Sequence, residues 1–119
     1  LLTNTPAHFE ALQTVTVLLI EQNRTDKALE KIQDALKING TDHRIWYLLA
    51  QTYQAQEDLV ALSKALQNAL TRDPSNPHYR TAYLNLGIHF QQQDQIDHAW
   101  SVYRQVLVID RLSSRLVYL

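Results

Sequence analysis

The sequence predicts an all-α fold: a solenoid of antiparallel helix pairs, repeated about three times along 119 residues. Three observations carry that prediction. The first is a recurring ladder, Leu12, Val15, Thr16, Leu19, Ala28, Ile32, Ala35, Gly40. It returns as Trp46, Leu49, Ala50, Tyr53, Leu62, Leu66, Ala69, Pro74, and again as Tyr83, Leu86, Gly87, Phe90, Ala99, Tyr103, Val106, Arg111. Leu12 to Trp46 is 34 positions and Trp46 to Tyr83 is 37, the excess lying around Pro77, His78 and Tyr79. A period of this length belongs to stacked units rather than to one closed globule. The second observation is that each copy holds two apolar stripes at helical spacing. The third is that only a few polar residues separate the stripes of a copy, so the two helices must be antiparallel neighbours.

The elements follow in order. A first helix is predicted from about Pro6 to Gln22, with a turn at Asn23-Arg24-Thr25. The second runs to about Ile38, where Asn39 and Gly40, residues that tolerate the left-handed conformation, end it. Ile45, Leu48, Leu49, Thr52 and Tyr53 mark the third, with Asp42 as N-cap; Leu59, Leu62, Leu66, Ala69 and Leu70 mark the fourth, with Asp58 as N-cap. Asp73-Pro74-Ser75-Asn76-Pro77 stops it, because proline lacks an N–H and disfavours helix at the residue before it. The fifth is expected from about Pro77 to Gln92, the turn at Gln93-Asp94, and the sixth to about Ile109. Ala28, Ala35, Ala69, Gly87 and Ala99 stand beside large residues such as Ile32, Leu66 and Tyr103, the small-against-large pattern of close helix packing.

Composition removes several function classes. Eleven Lys and Arg against twelve Asp and Glu, with the signs interspersed, give a net charge of -1. A nucleic-acid partner is therefore not expected, because neutralising phosphate needs a basic stripe. No apolar run approaches the roughly 18 residues of a membrane span, so no membrane partner is expected for this segment. With no cysteine there is no disulfide framework or thiolate metal site. Two glycines cannot build a glycine-rich phosphate loop. No histidine pair has zinc-ligand spacing within one helix; His89 and His98 could meet across one helix pair, while His8, His43 and His78 read as turn residues. No catalytic, cofactor or metal site is expected.

The run Trp46-x2-Leu49-Ala50-x2-Tyr53, followed by Leu66, Ala69 and Pro74, resembles the tetratricopeptide repeat (TPR) family. Tyr83-x2-Leu86-Gly87-x2-Phe90 with Ala99 and Tyr103 matches as well; the first copy is weakest, with Leu12 and Thr16 at the aromatic and glycine places. The resemblance implies a single right-handed superhelical array over residues 1–119, with repeats at about 9–42, 43–79 and 80–113 and partial helices at both ends. Leu1 to Pro6 reads as the close of a preceding second helix, and Ser113 to Leu119 as the start of a following first helix. It also implies a concave groove, lined by the first helices, that holds an extended peptide or a partner's helix. Carried onto this chain, the groove face is Glu10, Gln13, Val17 and Ile20; then Arg44, Tyr47, Gln51 and Gln54; then Thr81, Leu84, Ile88 and Gln91.

Co-chaperones of this family clamp the C-terminal carboxylates of Hsp70 and Hsp90 with lysines, asparagines and an arginine. The matching positions here are Gln13, Val17, Leu48, Thr81 and Asn85, none of them a cation, so capture of those tails is not expected. The expectation is a non-catalytic protein-interaction scaffold with a protein or peptide partner. The alternatives are a regulatory or substrate-docking region of a larger enzyme and self-association through the array ends.

Overall fold

In a computed structural model, which describes the backbone of residues 6–118 and the side chains of residues 8–111, every regular element is helical. The order is α1 (Pro6–Glu21), α2 (Thr25–Ile38), α3 (His43–Ala55), α4 (Leu59–Arg72), α5 (Pro77–Gln92) and α6 (Ile96–Tyr118). α1, α3 and α5 pack on α2, α4 and α6 respectively, while α2 also meets α3 and α4 meets α5. The shortest principal extent, 20 Å, is two helix diameters.

Local chemistry sets the helix starts. Asp42 accepts from the backbone N–H of Arg44, Asp58 from that of Ala61, and Asn76 from those of His78 and Tyr79, with Pro77 at the first helical position. The three turns inside the pairs share one geometry. Asn23, Glu57 and Asp94 all have φ near +60°, at the same repeat position. The next residue in each turn, Arg24, Asp58 or Gln95, donates its N–H to the carbonyl of Leu19, Tyr53 or Phe90, at 2.7, 3.1 and 2.8 Å. This is the Schellman closure, whose left-handed residue is most easily a glycine.

α2 ends at Ile38 as expected, but without a left-handed residue, and the expected end of the sixth helix is corrected. Neither Asn39 nor Gly40 is left-handed. Gly40 instead offers its carbonyl to the indole Nε1–H of Trp46 at 2.8 Å and to Arg72 Nε–H at 3.2 Å. The left-handed residues fall within pairs, where two helices reverse with almost no connecting chain. The sixth helix, expected to end near Ile109 before a new start at Ser113, has an unbroken helical backbone to Tyr118. The stretch from Asp110 onward contains no proline or glycine, unlike Asn39-Gly40 and Asp73-Pro74, so nothing local compels a stop. The partial helix expected at Leu1–Thr5 lies outside the described residues.

Most ladder residues lie in the core, whereas Val15, Pro74 and Arg111 of the ladder are exposed. Ala28, Ile32, Leu49, Ala50, Leu62, Leu66, Ala69, Tyr83, Leu86, Phe90, Ala99 and Val106 are buried. Gly87 earns its place by close approach: a Cβ there would lie 2.8 Å from the Tyr103 ring and 3.1 Å from Val102 Cγ1. At the equivalent place in the first copy, Thr16 is fully buried and its Oγ1 has no hydrogen-bond partner.

Candidate functional site

A groove of about 790 Å³ opens between α3 and α5, over α4. The α3 wall is Tyr47, Gln51 and Gln54, whose spacing of four and three keeps them on one helix stripe. Leu59, Leu62 and Leu66 of α4 form an apolar floor. The α5 wall presents Asn85 and His89, with Gln93 from the cap at its end. Glu57, from the left-handed turn between α3 and α4, closes one end. The lining thus pairs an aliphatic strip with carboxamides, each able to donate and accept together, as a peptide backbone requires. None of the described residues that line it is Lys or Arg, and Glu57 is its one carboxylate.

Tyr47 is held from behind. Its ring lies 4.9 Å from that of Tyr79, which is only 5% exposed. The Tyr79 hydroxyl is 2.6 Å from His43 Nδ1, and His43 Nε2 is 3.8 Å from Asp73. With Nδ1 unprotonated, the hydroxyl donates. Burial, reinforced by the Asp73 and Asp42 carboxylates, pushes the Tyr79 phenol up to about 12. Tyr79 is therefore a neutral, buried backing at any ordinary pH. His43, expected as a turn residue without further role, is part of this support.

The structure sorts the predicted groove residues into three groups. Tyr47, Gln51 and Gln54 line the groove together. Arg44 does not: Asp42 holds its guanidinium at 3.1 and 2.8 Å, and the group stacks 4.2 Å above the Phe9 ring. That hydrogen-bonded pair holds the Asp42 carboxyl below its ordinary value. The remainder lie elsewhere. Glu10, Gln13 and Val17 are exposed and Ile20 is half-buried on α1. On α5, Thr81 and Ile88 are exposed, Leu84 packs against the core, and Gln91 accepts from the Tyr103 hydroxyl of α6 at 3.1 Å.

The reason is geometric. A groove between two parallel-running helices takes opposite flanks from its walls, so one repeat position cannot serve both. α3 turns its 47/51/54 stripe toward α5, and α5 answers with 85 and 89, each one residue (about 100° of helix) past 84 and 88, with Gln93 just beyond its end. Asn85, His89, Gln93 and Glu57 were thus missed as groove residues, although a one-residue rotation of the predicted stripe would have found Asn85 and His89. His98 stacks on Phe90 at 5.0 Å, away from the groove that His89 lines. Among the described residues no group of three His, Asp or Glu side chains is placed to hold a metal ion, and no helix is long and apolar enough to cross a membrane.

Residues 19–86, more than half of the chain, match a family model described as tetratricopeptide repeat. The chain belongs to the tetratricopeptide repeat family. Proteins of this class are in general non-catalytic scaffolds for protein–protein interaction. Tetratricopeptide repeat protein 7B from Homo sapiens and that from Mus musculus are each 29% identical over 72 residues, covering 60% of this chain. The chain spans only 8% of the length of these curated relatives. Among solved structures it is similar to "MamA 41-end from Desulfovibrio magneticus RS-1", with a TM-score of 0.60 and 25% identity over 89% of this chain and 58% of that one. The structure titled "MamA RS-1 ArsTM double mutant" gives the same TM-score and identity, over 91% and 59%.

Proposed function

We propose that this segment is a non-catalytic interaction scaffold that binds an extended peptide or a partner's helix in the groove between α3 and α5. The observation that carries the reading is the groove's composition: an aliphatic floor between walls of carboxamides, with a rigidly backed tyrosine on one rim. Carboxamides satisfy the unpaired N–H and C=O groups of an extended strand, and the floor buries its side chains. Tyr47 is the kind of preorganised aromatic in which interface energy concentrates. A terminal carboxylate has no counter-charge in this lining, which argues against capture of Hsp70 or Hsp90 tails.

The test starts with partners captured from the native source by the purified chain and then measured by titration calorimetry. Tyr47→Ala is expected to weaken binding by more than about 1 kcal/mol with helicity intact. Lys31→Ala and Gln67→Ala, on second helices away from the groove, are expected to leave affinity unchanged. Unaltered binding by Tyr47→Ala and Asn85→Ala would reject the groove.

One observation favours a second reading, self-association through the ends of the array. Leu70 of α4 is 1% exposed against its neighbours, whereas Leu107, at the same repeat position on α6, is 57% exposed beside Trp100 at 60%. A helix placed against α6 as α5 is placed against α4 would cover both, and either a further helix of the same chain or a second copy can supply one. Sedimentation of the wild type and of Trp100→Glu/Leu107→Glu checks it; a concentration-independent monomer in both excludes it.

A further inference from the structure

We infer that the occupant of this groove is a short extended peptide carrying a lysine or arginine, whose cation sits against Glu57; the inference rests on the groove reading above. The wall from Tyr47 to Gln54 spans seven helical steps, roughly 10 Å, which an extended chain crosses in about three residues. Such a segment places one or two apolar side chains on Leu62 and Leu66 and directs its end to the turn that carries Glu57.

Charge singles out the chemistry at that end. The lining has one carboxylate, no Lys or Arg, and His89 as its one imidazole, so an acidic residue beside Glu57 meets repulsion while a basic one meets its complement. The Glu57 carboxylate is free for this: among the described residues it accepts no hydrogen bond and joins no ion pair.

The backbone adds an independent argument. Glu57 has φ 59°, and its counterparts Asn23 (φ 60°) and Asp94 (φ 61°) are residue types that enter this region with little penalty. Glutamate is not one of them, and the fold makes no use of its side chain. A strained position that carries an unused charge at the mouth of a groove is the pattern expected of a binding residue.

The probe is a display library of random linear peptides selected on the purified chain, followed by synthesis of the enriched sequences. Enriched peptides are expected to carry Lys or Arg at a fixed distance from an apolar residue and to be depleted of Asp and Glu. Their affinity should fall roughly tenfold for Glu57→Gln and further for Glu57→Lys, and the loss should vanish when the peptide's own cation is replaced by glutamine. Glu57→Gly separates binding from structure: it relieves the left-handed strain, so thermal stability should hold or rise while affinity for the basic peptide still falls. Peptides that lose binding on Tyr47→Ala but show no basic preference and ignore Glu57→Gln overturn this inference and leave the groove standing. Unimpaired binding by Glu57→Gly overturns it in the same way. No enrichment at all overturns this inference while a partner's helix can still occupy the groove; peptides indifferent to Tyr47→Ala and Asn85→Ala overturn the groove reading itself.

Discussion

Gly87→Ala isolates the contact that sets the α5–α6 spacing. The added Cβ would stand 2.8 Å from Tyr103 Cε1, 3.2 Å from its Cζ and 3.1 Å from Val102 Cγ1. Carbon atoms prefer roughly 3.5–4.0 Å, so the ring must retreat by most of an ångström or the helices must part. Tyr103 is half-buried and its hydroxyl donates to Gln91, so retreat disturbs both packing and that bond. Overpacking of this kind costs about 1–3 kcal/mol, and replacing a helical glycine by alanine returns about 1 kcal/mol, leaving a net destabilisation of about 0–2 kcal/mol. The sign is better tested than the size. In a Tyr103→Ala background the ring is gone, and the same Gly87→Ala change should become stabilising by up to about 1 kcal/mol. Urea unfolding followed by far-UV circular dichroism gives the four corners of the cycle. Equal effects of Gly87→Ala in the two backgrounds would refute the claim that Tyr103 is what the glycine accommodates.

Four further outcomes are expected. Thr16→Val removes a buried hydroxyl that has no partner and keeps its shape, so urea stability should rise by about 1–3 kcal/mol. Ala69→Leu should cost about 1–3 kcal/mol by overpacking, whereas Lys64→Ala on the exposed face of α4 should change stability by less than about 0.5 kcal/mol. Because the folded state holds the Asp42 carboxyl below its ordinary 3.8, chiefly through the Arg44 hydrogen bond, its contribution is present above that value and lost as pH falls through the lower folded one. Asp42→Asn, which can still cap α3, should therefore flatten acid unfolding below about pH 4. Tyr79 has the opposite sense: its folded-state value is raised to about 12, so stability present below about pH 10 is lost as pH rises toward 12. Tyr79→Phe should reduce that alkaline loss without abolishing it, because burial raises Tyr83 as well.

Helix starts were legible because their causes are local. Asp42 and Asp58 reach backbone N–H groups two or three residues along, and Pro77 needs only its own ring. The turns were placed correctly; Asn23 and Asp94 are residue types suited to the left-handed region, whereas Glu57 bears no mark of that conformation in its residue type. Ser113 shows the converse error. A serine caps a helix only where the chain turns, and there α6 continues.

The periodic ladder, by itself, determined the helix pairs, their order and much of the core, for apolar burial at a fixed period has few other solutions; it did not show that Val15 is exposed or that Tyr79 and Val102 are buried. It also placed Tyr47, Gln51 and Gln54 on one stripe. The tertiary structure alone decided that Asn85, His89 and Gln93, rather than Thr81, Leu84, Ile88 and Gln91, face that stripe across the groove. It alone decided, too, that Arg44 is consumed by Asp42 and Phe9 and that Glu57 stands at the groove's end. A repeat pattern records the position of each residue on its own helix. Which flank meets a neighbour depends on how that helix is rotated and where it lies, and packing over the whole core sets both.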